Sequence, residues 1–262
     1  MKSTIILIFS LIHHIFSMQS KTKILTDQKF LIVLQNKSCH LNLHHLMPCP
    51  DHSSLSIVST DDGSKTIFSG CFGEHYHSTF GAVSESKHVF IEAGYLASVI
   101  HPVSVLEIGF GTGLNAWLTL QQAEKLHRPT CYEAIELYPI DDIVACELTE
   151  DEVFRRLHSV TWEQMMKITS FFILHKRKTD LLQTTFTGKF DVVYFDAFSP
   201  ASQPEMWRRD IFANLYAVMN PCAIMTTYCA KGDVRRNLQD VGFTVERLPG
   251  PAGKREILRA IK

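Results

Sequence analysis

Residues 103–115, VSVLEIGFGTGLN, constrain this chain more than any other stretch. An apolar run of β-favouring residues reaches an acid, Glu107, and then Gly109, Gly111 and Gly113. The pattern predicts a strand, a tight turn and a helix that begins near Leu114. Glycine lacks a Cβ and tolerates positive φ, so such a turn lets backbone approach a ligand closely. The spacing is G-x-G-x-G, with Leu114 where the dinucleotide fingerprint G-x-G-x-x-G has its last glycine. The plain alternative is a strand-to-helix turn that holds no ligand.

Of the 262 residues, 45% are hydrophobic and 20% charged, a balance suited to one sizeable globular domain with an appendage. The formal net charge is −1, so any contact with a polyanion needs a local basic patch. Seven cysteines, an odd number without a C-x-x-C pair, read as reduced thiols of a cytoplasmic protein. Residues 5–12, IILIFSLI, follow Lys2 and resemble the apolar part of a secretion signal, yet they are too short to span a bilayer. Translation is expected to begin at Met18 or Met47, with secretion as the alternative and no membrane partner.

Residues 1–50 carry no assignable pattern, and the texture changes near Asp51. Residues 51–102 are expected to form an extension that acts as a lid or cap, with TIFSG as a short strand. The main domain is expected over 103–262. There, strands at 104–110, 130–137, 168–177, 190–198 and 222–230 alternate with helices at 114–127, after a capping box of Thr149 and Glu152, at 204–219 and at 234–242. Two closing strands, 243–248 and 255–261, are near enough for a hairpin. The alternation predicts an α/β fold, a doubly wound, mostly parallel sheet with an antiparallel C-terminal edge hairpin.

In such a sheet, ligands lie beyond the carboxyl ends of the strands. The acids there are Glu107, Glu136, Asp180 just past the third strand, and Asp196. Glu136 follows the glycine turn by the distance expected of a ribose-diol acceptor. Asp180 is placed to accept from an adenine amino group. Read singly, Glu136 is equally a solvated acid and Asp180 or Asp196 a helix cap. An acid two residues before the first glycine is also what Rossmann-like S-adenosylmethionine-dependent methyltransferases carry, so S-adenosyl-L-methionine is the expected cofactor. Its expected contacts are Glu107, Gly109, Phe110, Gly111, Gly113, Asn115, Glu136 and Asp180. Asp196 is the expected catalytic group: an amine attacks a sulfonium methyl only as the neutral base, and a carboxylate can take its proton. His75 and His77 have no third ligand placed by spacing, so no metal is expected.

Several segments, in order, resemble the methyltransferase domain of the MnmC family. They are DGS with TIFS (62–69), FGEHYHS…ESKHVFIEAG (72–94), EIGFGTGLN (107–115), IELYP (135–139), DVVYFDAFSPASQPEMW (191–207), VRRNLQDVGF (234–243) and GKREIL (253–258). The resemblance implies transfer of a methyl group to 5-aminomethyl-(2-thio)uridine at the wobble position of tRNA. It also implies a stand-alone form, because no FAD-dependent oxidoreductase domain follows Lys262. A separate oxidoreductase would then supply the aminomethyl precursor.

A wobble base lies in a single-stranded loop and is readily splayed out onto aromatic faces. Expected substrate contacts are Tyr76, Phe198, Pro200 and Trp207, although Trp207 suits core packing equally well. Residues 231–262 hold eight Lys or Arg against four acids, which makes Arg235, Lys254 and Arg255 candidates for tRNA phosphate. Competing readings are methylation of a small amine, aminopropyl transfer, and a binding module without catalysis. Aminopropyl transferases usually place an acid where Thr112 stands, and the intact Asp196 disfavours a non-catalytic module.

Overall fold

The computed structural model describes residues 54–262, which belong to one compact unit. The expected segment 1–50, with its apolar run, both internal methionines, Cys39 and Cys49, lies outside the described residues.

Three short strands, β1 (Leu55–Ser59), β2 (Lys65–Ser69) and β3 (Glu74–His75), form an antiparallel sheet. Helix α1 (Ala82–Ser86) follows and continues in π-helical turns from Lys87 to Tyr95. Then come β4 (Val103–Ile108), α2 (Leu114–Leu126), β5 (Thr130–Glu136), α3 (Asp142–Cys146), α4 (Glu152–Ser159), β6 (Met165–Lys167) and β7 (Phe172–Lys178). The chain closes with β8 (Phe190–Phe195), α5 (Arg209–Val218), β9 (Met219–Thr227), α6 (Gly232–Val241), β10 (Thr244–Pro249) and β11 (Glu256–Ile261). The large sheet has the order β10-β11-β9-β8-β4-β5-β7-β6. Its five inner strands, β9, β8, β4, β5 and β7, run parallel. The closing strands form the expected antiparallel hairpin, and β11 is the member that joins β9.

Successive side chains of a strand point to opposite faces, and this period explains both core layers. Leu106, Ile108, Val193 and Phe195 face the side covered by α5 and α6, where they meet Ile211, Phe212, Leu215 and Leu238. Val103, Val105, Tyr132, Ala134, Val192 and Tyr194 face the other side, against Val89, Phe90 and Ala93 of the α1 continuation and Ala116, Leu120 and Ala123 of α2. Gly94 permits that contact: a Cβ there would lie 3.1 Å from Tyr194 and 3.2 Å from Thr226. The residues before β4 are therefore built into the sheet's core layer. Buried Arg128 locks their end, donating to the carbonyls of Tyr95, Ser98 and Ile100.

Three local expectations need correction. The expected strand 168–177 begins only at Phe172, because Ile168 and Thr169 close a turn onto the Phe172 carbonyl and lead back to the edge strand β6. The cap of α4 is Asp151, whose carboxylate accepts from Phe154 N at 2.9 Å; Thr149 only accepts from Asp151 N. The expected helix 204–219 is broken: a 3₁₀ turn, Pro204–Trp207, is separated from α5 by an extended Arg208. Among the described residues no helix is long and apolar enough to cross a membrane, and no three His, Cys, Asp or Glu are placed to hold a metal ion.

Candidate active site

The same period of two that builds the core also delivers the acids. Continuing Val103-x-Val105 leads to Glu107, Tyr132-x-Ala134 leads to Glu136, and Val192-x-Tyr194 leads to Asp196, all on the α2 face. Three neighbouring parallel strands thus carry three carboxyls to one place, beside the N-terminus of α2.

There the glycine turn bends with φ of +88° at Gly109, +48° at Gly111 and +74° at Gly113. A Cβ on Gly109 would lie 2.7 Å from the Asp196 carbonyl oxygen, and one on Gly111 would lie 2.9 Å from the Tyr76 ring. Gly109→Ala is therefore expected to combine backbone strain with a backbone clash, lowering unfolding stability by about 1–3 kcal/mol. An unchanged chemical denaturation midpoint would count against this account of the turn.

Buried Asn115, on the first turn of α2, joins two of the acids. Its Nδ2 donates to Glu107 Oε1 at 3.0 Å and to Asp196 Oδ2 at 2.8 Å. Glu107 is completely buried. Its Oε2 has no hydrogen-bond partner, and the Tyr132 hydroxyl stands beside it outside hydrogen-bonding geometry. Burial, opposed by the Asn115 bond and reinforced by Asp196, holds the Glu107 carboxyl far above the usual carboxylate range. Asp196 is half-buried. Its carboxyl is pushed up to about 7, by desolvation first and by the Glu85 charge next. Glu136 is also half-buried; its oxygens accept from Gly111 N at 3.0 Å and Tyr138 N at 2.9 Å, so it braces the turn. Burial raises its pKa against these backbone bonds.

Several site residues escape a reading of the sequence. Two neutral histidines clamp Thr112 in the glycine turn. His158 Nε2 donates to the Thr112 carbonyl at 2.8 Å, and His77 Nε2 bonds the Thr112 hydroxyl at 2.7 Å. Burial lowers both rings to about 4. Buried Lys176 of β7 donates to the His158 carbonyl and lies over the rings of Trp162 and Phe110. Glu74 of β3 binds the loop after β8, accepting from Ser199 N at 3.1 Å and from the Ser202 hydroxyl at 2.7 Å. These contacts carry no local signal, because each joins segments far apart in the chain.

The remaining candidates divide. Phe198 is half-buried, stacked on Phe72 with centroids 4.2 Å apart and edge-on to Tyr76 at 5.0 Å. With Pro200 in the same loop, they form an aromatic shelf next to Asp196. Trp207 is not part of its surface: it is 3% exposed and donates its indole N–H to the Phe198 carbonyl, so it supports the shelf from the core. The Phe110 ring is buried against His158 and Trp162, leaving its backbone to the turn. Asp180 caps the 3₁₀ turn Leu181–Gln183, accepting from Leu182 N at 2.9 Å. Lys254 does not stand free for phosphate: its ammonium pairs with buried Glu85 and lies 4.0 Å from the Tyr228 ring centroid, within the electrostatic reach of Asp196. Arg235 is half-buried and Arg255 exposed.

The chain is similar to known proteins over most of its length. Residues 157–262 match a family described as S-adenosyl-L-methionine-dependent methyltransferase. The chain is 30% identical over 239 residues to the tRNA 5-methylaminomethyl-2-thiouridine biosynthesis bifunctional protein MnmC of Caulobacter sp. (strain K31), covering 80% of this chain and 39% of that one. Its counterpart in Chromohalobacter salexigens is 29% identical over 219 residues, 76% of this chain and 31% of that one. The chain thus spans about a third of the length of these curated relatives. The crystal structure of MnmC2 from Aquifex aeolicus superposes with a TM-score of 0.66 at 24% identity, covering 96% of this chain and 83% of that one. Spermidine synthase from Thermotoga maritima shares the fold at a TM-score of 0.54 and 13% identity, covering 79% of this chain and 69% of that one.

Proposed function

Because the chain carries an S-adenosyl-L-methionine-dependent methyltransferase domain of the MnmC kind, we propose that it methylates the aminomethyl nitrogen of 5-aminomethyl-(2-thio)uridine at the tRNA wobble position. The observation that carries this reading is the Asp196 carboxyl, held by Asn115 beside an aromatic shelf. The product is 5-methylaminomethyl-(2-thio)uridine.

The residues present fit the cofactor. Buried acceptors without partners, Glu107 Oε2 and Asn115 Oδ1, suit its cationic methionine part. The Glu136 carboxylate keeps lone pairs for a ribose diol beyond its two backbone bonds. Asp180 lies past β7 on the side expected for adenine, with lone pairs beyond its capping bond. Bound there, S-adenosylmethionine supplies an electrophilic methyl group. Asp196 accepts the proton of the substrate ammonium and orients the neutral amine. The shelf of Phe198, Phe72 and Tyr76 holds the splayed base, and residues 54–102 cover it through the Glu74 and His77 contacts.

Nucleoside mass spectrometry of tRNA from a deletion strain tests the reaction. Accumulated 5-aminomethyl-(2-thio)uridine supports it; an unchanged profile, without a redundant enzyme, removes it.

The basic C-terminal region is less free than its charge count suggests. Arg236 pairs with Asp233, Arg247 with Glu256 and Arg259 with Glu246. Arg255→Ala is therefore expected to weaken tRNA binding and to reduce its log–log salt slope by about 0.7–0.9, one phosphate contact. Lys254→Ala is expected to leave that slope alone and to alter turnover. Anisotropy titrations across a salt series check both, and a salt slope unchanged by Arg255→Ala removes that contact.

A further inference from the structure

We propose that Glu107 and Asp196 hold one proton between them in the cofactor-free protein and release it when a sulfonium cation binds, so that the pair separates the charged methyl donor from its neutral thioether product. This rests on the methyltransferase reading above and assigns the pair a part in choosing the cofactor's charge state.

The geometry carries the argument. Both carboxyls leave the carboxyl ends of adjacent parallel strands on one face, and one amide nitrogen, Asn115 Nδ2, donates to both. Their accepting oxygens are therefore within two hydrogen-bond lengths of each other. Two carboxylates sharing such a place do not both ionise readily, and they titrate as a unit.

Among the described residues, nothing packed around them supplies a free cation. Glu107 is faced by Tyr132 of β5, Tyr194 of β8 and Asn115 of α2, with Glu136 as a further negative charge. Asp196 is faced by Glu85 of α1, Lys254 of the β10–β11 turn and Tyr228 after β9. Lys254 is already paired with Glu85. Four carboxyls, Glu85, Glu107, Glu136 and Asp196, thus stand against one committed ammonium. A proton on the Glu107–Asp196 pair is the cheapest neutralisation available to the free protein. The pair's upward-shifted titration agrees, with Asp196 at about 7.

A bound sulfonium replaces that proton electrostatically. The proton passes to solvent, and the buried pair then faces a cation. The thioether product carries no such charge and leaves the proton in place. With rising pH, donor affinity should increase by up to about tenfold per unit until the proton has left the pair, and then level off. Product affinity should stay flat over the same range.

Calorimetric titration of the full chain at pH 6.5, in phosphate and in imidazole buffer, reads the released proton directly. S-adenosylmethionine is expected to release about half to one proton, and S-adenosylhomocysteine almost none. Glu107→Gln keeps the size and the neutrality of the protonated acid. It is expected to reduce the release and to lower the donor-to-product affinity ratio at pH 8 by about tenfold, the scale of one lost charge interaction. If that variant does not fold, Asp196→Asn breaks the same pair, with the same expectation. Donor binding with buffer-independent heat overturns the proposal and leaves the methyltransferase reading standing. So does equal release by both ligands, or equal weakening of both in the variant. A parent protein that binds no S-adenosylmethionine overturns both.

Discussion

Asp196→Asn is expected to slow single-turnover methyl transfer to tRNA carrying the unmethylated amine by about 10²–10⁴-fold, the range for a positioned acid or base. The asparagine keeps the shape and can still meet Asn115, but it has neither the charge nor the basicity. The measurement belongs at saturating cofactor, so that altered donor affinity does not enter the rate. The pH profile supplies the sign. The carboxyl of the free protein titrates at about 7, raised chiefly by burial. Below that value the base of the free protein is protonated, so parental kcat/KM for S-adenosylmethionine should fall about tenfold per pH unit. The variant has no such limb. Its rate should climb instead towards the pKa of a free alkyl amine, about 10, as more substrate arrives already neutral. If Asp196 only orients the amine, the loss is small and alkali gives weak rescue. A near-parental rate at neutral pH removes Asp196 from the chemistry.

The raised titration also has a consequence for stability. The native carboxyl binds its proton more tightly than an unfolded aspartate, whose pKa is near 3.8. Between that value and about 7 the folded state therefore holds more protons, and this group's contribution to stability falls as pH rises. Such a cost at neutral pH suits a functional group better than a structural one.

The sequence displays the parts of this protein that follow from periodicity. Strand and helix alternation led to the parallel sheet, and alternation within strands places Glu107, Glu136 and Asp196 on one face. Gly242 ends α6 in a left-handed conformation. What was hidden depends on distant partners. Lys254 reads as one more basic residue in a basic stretch until Glu85, far away in the chain, is folded against it. Trp207 has the spacing of a helix face, yet its indole turns to the Phe198 carbonyl and the backbone extends at Arg208. Edge strand β6 is three exposed residues, so it has no buried side to write an alternating pattern. His77 and His158 bond one threonine, at its hydroxyl and its carbonyl, and neither has a neighbour in sequence to announce it.

Glu136→Ala is expected to weaken S-adenosylmethionine binding by about 1.5–3 kcal/mol, the range for hydrogen bonds to a charged group, or about 10–150-fold in Kd. Two effects contribute to that loss and separate experimentally. The carboxylate accepts from Gly111 N and Tyr138 N, so its removal strips two backbone donors of their partner and loosens the glycine turn. It is also the group placed to receive the ribose diol. The first effect lowers the stability of the cofactor-free protein, by about 1–3 kcal/mol for each donor left buried and unpaired. The second depends on the ligand. Removing the 2′-hydroxyl from the nucleoside should weaken binding to the parent protein but cost little further in the variant, since the acceptor is already gone. If the deoxy analogue loses as much affinity in Glu136→Ala as in the parent, Glu136 acts only on the turn and the diol binds elsewhere. Equal calorimetric affinity of parent and variant for the intact cofactor removes both roles at once.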